Sequence, residues 1–137
     1  MRIVLDTNVL VSGLLSPFGT CGEIVRMLTS GVFTPCVDAR IMLEYDEVLR
    51  RPSFKIDPRR IDRLIAYLES TAEVHAPLPL PVQLPDRDDT PFLEVASVAR
   101  VDCLGTGNLR HFPAECRGGV RVASPGEFVA FFHQRSV

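Results

Sequence analysis

The chain has 137 residues, 46% hydrophobic and 23% charged, enough to fill one core, so a single domain over 1–137 is expected. A net charge of −2 excludes a protein that holds nucleic acid by overall charge, and leaves a local basic patch or a bound cation as the means of gripping phosphate. The apolar stretches are too short to span a bilayer, and the start runs straight into Asp6 where a signal peptide needs a longer apolar core, so a cytoplasmic location is expected.

Residues 2–5 are a β-branched apolar run that stops at Asp6-Thr7-Asn8, which reads as a buried strand feeding a polar turn or a helix start. Val9 to Leu15 is predicted helical, ending near Ser16-Pro17. Gly22 to Ser30 is a second amphipathic helix, with Ile24, Val25 and Leu28 on one face and Gly31 as its stop. Val32 to Val37 reads as a strand. Asp38 is placed to cap a helix over 39–50 with the stripe Ile41, Met42, Tyr45, Val48 and Leu49, ended by Arg51-Pro52. Pro58 opens a longer helix with Ile61, Leu64, Ile65 and Leu68 at helical spacing. Pro77, Pro79, Pro81, Pro85 and Pro91 mark 76–91 as an extended connector. Asp88 or Asp89 then caps a helix carrying Phe92, Val95, Ala96 and Ala99. Val101 to Leu104 is a brief strand, 105–108 a Gly-rich loop and Val120 to Ala123 another strand. Pro125 starts a closing helix whose Phe128, Phe131 and Phe132 either pack inside or line a homodimer interface.

Strands alternating with helices favour an α/β fold: a three-layer α/β/α sandwich around a central, mostly parallel sheet of four to five strands. Such sheets bind ligands beyond the carboxyl ends of their strands. Asp6 and the Asn108 loop both fall at that edge.

Four residues stand out for chemistry: Asp6, Glu44, Asp89 and Asn108. Asp6 ends the first strand, where it either caps the next helix or serves a ligand. Glu44 falls roughly 80–100° from the centre of its helix's apolar stripe, a boundary position able to reach sideways into a cleft. Asp86, Asp88 and Asp89 crowd one helix start, and capping needs only one or two of them. Asn108 sits in a turn that asparagine suits on its own account, yet its amide oxygen can also serve a metal. Carboxylates sharing one pocket repel each other, and a divalent ion relieves that conflict. Oxygen donors with no soft partner suit Mg²⁺ or Mn²⁺. Such an ion would also bind phosphate, activate a water and stabilise the leaving oxygen.

Arg50, Arg51, Lys55, Arg59, Arg60 and Arg63 concentrate in one stretch, interleaved with Asp57 and Asp62. They read equally as a track for a phosphate backbone, with Arg50, Arg51 and Lys55 as candidates, and as an ordinary charged surface. Cys21, Cys36, Cys103 and Cys116 form no C-x-x-C pair and no cluster with histidine, so they read as small hydrophobes rather than zinc ligands. His75, His111 and His133 are scattered, and nothing supports a covalent intermediate. A receiver-like site would want a later lysine, but Lys55 is the only one; a D-x-D phosphatase would want an acid where Asn8 stands.

Ile3-Val4-Leu5-Asp6-Thr7-Asn8-Val9-Leu10, Leu43-Glu44-Tyr45 with Arg51-Pro52, Asp86-Arg87-Asp88-Asp89 with Phe92-Leu93, and Thr106-Gly107-Asn108 with His111-Phe112-Pro113 occur in that order. With these pieces the chain resembles the PIN-domain family, and within it the VapC-like toxin components of toxin–antitoxin pairs. The resemblance spans most of the chain. It implies a parallel sheet between helical layers and a Mg²⁺/Mn²⁺-dependent endoribonuclease acting on RNA, partnered by an antitoxin protein. Carried over by position, Asp6, Glu44 and Asp89 would be the catalytic acids and metal ligands. Asn108 stands where many members carry a fourth aspartate. Thr7, Asn8, Thr106, Asp86 and Asp88 would support them. The Asn108 exchange also leaves open an alternative: a PIN-like nucleic-acid- or partner-binding module with weakened catalysis.

Overall fold

The computed structural model describes residues 1–135. Arg2–Leu5 forms β1, and its Ile3, Val4 and Leu5 are buried, as an apolar run must be when both faces of a strand are covered. Helices α1 (Thr7–Leu15) and α2 (Thr20–Thr29) lead to β2 (Thr34–Val37). Helices α3 (Ala39–Leu49) and α4 (Pro58–Thr71) lead to β3 (Glu73–Val74). Then come α5 (Thr90–Ala99), β4 (Cys103–Gly105), β5 (Val122–Ala123) and α6 (Pro125–Arg135). The strand order is β3-β2-β1-β4-β5, and every pairing is parallel. Helices cover both faces, which is the expected three-layer α/β/α architecture. α5 lies on β1, β2 and β4, while α6 lies on β4 and β5 and against α2.

Several element limits differ from the sequence expectation. β3 is an additional strand of two residues at the sheet edge, so the sheet has five strands. Helix α1 starts at Thr7, two residues before its apolar periodicity begins. Val101 and Asp102 precede the fourth strand instead of forming it, because Arg100 ends α5 in the left-handed conformation (φ 52°). In the connector, Arg87–Asp89 is a 3-10 turn capped by Asp86, whose Oδ1 accepts from the Asp88 amide at 2.9 Å. Asp89 stands at the N-cap position of α5, one of the two expected, but its side chain makes no capping hydrogen bond. Asp38 caps α3 as expected, accepting from the Ile41 amide at 3.0 Å.

Two glycines allow close approach here: Gly13 lets α1 meet α2, and Gly22 of α2 packs on the turn between the two helices. A Cβ on Gly22 would stand 2.1 Å from the Pro17 carbonyl oxygen, and one on Gly13 would stand 2.5 Å from a Val25 methyl. The proline-rich connector is pinned by a charge cluster whose two acids are buried under a half-exposed arginine. Arg40 spans Asp38 (2.7 Å) and Glu94 (2.8 Å), and the second oxygen of Glu94 accepts from the Leu80 amide at 3.0 Å. Phe128 is buried against Phe33, whose ring also meets Phe132 edge-on, and Phe131 lies under the Arg121 guanidinium. The aromatic residues of α6 therefore pack within the chain. Among the described residues no single helix is long and apolar enough to cross a membrane.

Candidate metal centre at the carboxyl edge of the sheet

The strand order reverses at β1, which continues to β2 on one side and borders β4 on the other. This crevice is where open α/β sheets place ligands. Asp6 follows β1 and Thr106 follows β4, and the Asp6 amide extends the pairing by donating to the Gly105 carbonyl at 2.8 Å. Asp6 stands at the start of α1 but its carboxylate does not cap it. The side chain is only 4% exposed. Its Oδ2 accepts from the Thr106 hydroxyl at 2.8 Å and from the Asn8 amide at 3.2 Å. Asn8 Oδ1 in turn accepts from the Gly107 amide at 2.9 Å. Burial pushes the Asp6 carboxyl above its ordinary value, against the opposing pull of these hydrogen bonds.

Glu44 reaches this edge from α3 and accepts a hydrogen bond from the Thr7 hydroxyl. Its half-buried position raises its carboxyl, and the charges of Asp6, Asp88 and Glu47 raise it further. Tyr45, next to it, is buried and donates to the Leu5 carbonyl, fixing α3 to the end of β1. Asp89, 7% exposed, comes from the turn before α5. Burial first and the charge of Asp6 second push Asp89 up to about 6, while His111 opposes them. The buried Asp89 Oδ2 lies 2.7 Å from His111 Nδ1, the contact through which His111 pulls this carboxyl back down. Ligating atoms of Asp86, Asp89 and His111 lie within 4.8 Å of one another.

The sequence model of the PIN domain matches residues 2–110. The chain belongs to the PIN domain family. No curated protein matches it in sequence. Its fold is similar to that of a chain in the crystal structure of VapBC2 from Rickettsia felis bound to a DNA fragment from their promoter. The TM-score is 0.58 at 13% identity, covering 90% of this chain and 98% of that one.

The PIN domain thus gathers Asp6, Glu44 and Asp89 electrostatically at one edge, with Thr7, Asn8 and Thr106 bonded to two of them. Asn108 enters by its backbone, its amide donating to the Thr106 hydroxyl at 3.0 Å. Among the described residues no hydrogen bond joins the Asn108 side chain to any of these acids. Asp88 lines a neighbouring cleft of ≈ 340 Å³ with Glu44, Glu47, Arg40 and Arg51. Arg50 is held by Asp46 and Asp62 at 2.9 and 2.7 Å, so it ties α3 to α4. Arg51 has only a loose contact of 3.9 Å with exposed Glu47, and Lys55 is exposed in a left-handed turn.

His111 is the residue that sequence reasoning left without a role. A single histidine gives no spacing signal, and only the fold brings it to Asp89. The groups that could hold a cation at this edge thus include an imidazole nitrogen beside the oxygens expected. The cysteines need a similar correction. Cys36 lies beside Glu73 and His75, a cluster with histidine that sequence spacing hides. A divalent cation fits the acidic edge on one observation above all: the buried carboxylate of Asp89 is crowded with like charge by Asp6 and Asp86, with the His111 nitrogen beside it as a further donor atom.

Proposed function

We propose that this PIN domain is a Mg²⁺- or Mn²⁺-dependent endoribonuclease that hydrolyses RNA phosphodiester bonds, and that it is the toxin of a toxin–antitoxin pair with an antitoxin protein as partner. The buried Asp89 carboxylate, crowded by the charge of Asp6 at the crevice between β1 and β4, is the observation that carries the reading. Asp6, Glu44 and Asp89 would hold the ion, with Asp86 and His111 beside Asp89. Thr106 and Asn8 fix the rotamer of Asp6, and Thr7 fixes that of Glu44. The bound ion would supply charge for the phosphate and for water activation. Arg51, at the mouth of the cleft beside Glu44, is the best-placed contact for the RNA backbone, since Arg50 is engaged elsewhere.

The test is cleavage of a mixed RNA pool with Mn²⁺, Mg²⁺ or EDTA, beside Asp6→Asn prepared identically. Metal-dependent cleavage is expected in the parent, with at least a hundredfold loss in the variant and an unchanged circular dichroism spectrum. Equal cleavage by both proteins would sink the assignment. A second reading, an RNA- or partner-binding module with weakened catalysis, draws on Asn108, a neutral residue whose amide donates to Thr106. It expects retention of the RNA on the protein without cleavage in any metal.

A further inference from the structure

The outer edge of the sheet carries a second set of ligating side chains, on strands that the acidic centre does not use. The register pairs Cys36 of β2 with Glu73 of β3. His75, two residues on, lies on the same face as Glu73, and its amide prolongs the pairing by donating to the Val37 carbonyl at 2.9 Å. Glu73 Oε1 is 3.8 Å from Cys36 Sγ and 3.2 Å from His75 Nε2, and the three ligating atoms lie within 4.8 Å of one another. Around a tetrahedral Zn²⁺, neighbouring ligand atoms stand about 3.3–3.8 Å apart, as follows from metal–ligand distances of about 2.0–2.3 Å. The two measured separations bracket that edge length, so little movement is needed to close on an ion. Two paired strands set this geometry.

Thiol, imidazole and a single carboxylate form a donor set for Zn²⁺ and its analogues, not for Mg²⁺. Cys36 is 1% exposed and backs the site, while Glu73 and His75 are half-buried at its rim. The competing cation is Arg2, whose Nε donates to Glu73 Oε1 at 2.8 Å. Its side chain is 54% exposed and free to turn outward. We propose that Cys36, Glu73 and His75 bind one Zn²⁺-class ion that staples β3 to β2, with the fourth position left to water. Binding would convert the thiol to a thiolate and release its proton to solvent.

The experiment uses the full chain, stripped by chelator and titrated with Co²⁺. One equivalent should give a thiolate-to-cobalt charge-transfer band in the near ultraviolet with the intense visible bands of a four-coordinate ion, and Zn²⁺ should bleach both. The signal should persist in Asp89→Asn, vanish in Cys36→Ser, weaken at least tenfold in His75→Ala and strengthen in Arg2→Ala. Half-buried His75 makes His75→Ala a variant that folds, so it reports ligation and not collapse. Absence of the thiolate band at one equivalent, its survival in Cys36→Ser, or unchanged affinity in His75→Ala would each overturn the site.

Discussion

Thr106 shows how one hydroxyl can organise a charged centre. Fully buried, it donates to Asp6 and accepts from the Asn108 amide. Thr106→Val removes both bonds at nearly constant volume. Loss of such a supporting partner costs about 10–100-fold in metal affinity or activity. The expected outcome is a loss in that range with Thr106→Ser close to the parent, read by RNA cleavage rate against Mn²⁺ concentration. A parental rate in Thr106→Val would show that Asp6 needs no such restraint. Thr7 and Asn8 are legible as candidates because they follow Asp6 in sequence, and Thr106 through the motif it shares with the family. His111 could not, since its partner Asp89 is far away along the chain and the link is made by a turn that no periodicity marks. The competition between Asp86, Asp88 and Asp89 for one cap was visible, but its winner depended on a 3-10 turn too short to leave a pattern.

At the level of elements, the long apolar runs and stripes were readable, because burial dictates their period. The edge strand β3 was not. Its two residues are one acid and one exposed valine, and its identity comes from pairing with β2. The start of α1 was hidden for a related reason: Thr7 and Asn8 belong to the helix but serve the acids, so they carry no apolar signal. The packing of α2 on the turn that precedes it yields a sharp expectation. Gly22→Ala sets a methyl against the Pro17 carbonyl, a backbone atom that cannot step aside. Overpacking of this kind costs about 1–3 kcal/mol, and urea denaturation should show a loss at the upper end of that range. The clamp on the connector gives another. Arg40→Met leaves Asp38 and Glu94 buried without their cation. Since Arg40 is itself 49% exposed, a loss of about 1–3 kcal/mol is expected, less than for a fully buried pair. Adding Glu94→Gln should recover part of it in the same denaturation assay; a double variant no more stable than the single would refute the clamp.

Across the whole molecule, the acidic centre couples stability to pH. Burial raises the carboxyls of Asp6, Glu44 and Asp89 above their ordinary values, the last to about 6. Between about pH 4, where free carboxyls titrate, and about pH 6, the folded chain holds protons that the unfolded chain has released. Its unfolding free energy therefore falls as pH rises through that window. EDTA-treated protein should melt higher at pH 5 than at pH 7. Asp89→Asn or excess Mn²⁺ should flatten the difference. A melting temperature that peaks at pH 7 without metal would mean that these acids do not crowd one another.

The hydrogen bond from Thr106 to Asp6 joins residues 100 positions apart. Contacts of such separation close late, after the loop entropy of everything between them has been overcome. On a ribosome the delay is stricter, for Asp6 emerges first and must wait until the segment after β4 has been made. A nascent chain therefore carries its acids unassembled through most of its synthesis. Any hydrolytic power they have begins only when the fold is nearly finished, which would give any partner made alongside it time to be present at the moment of assembly.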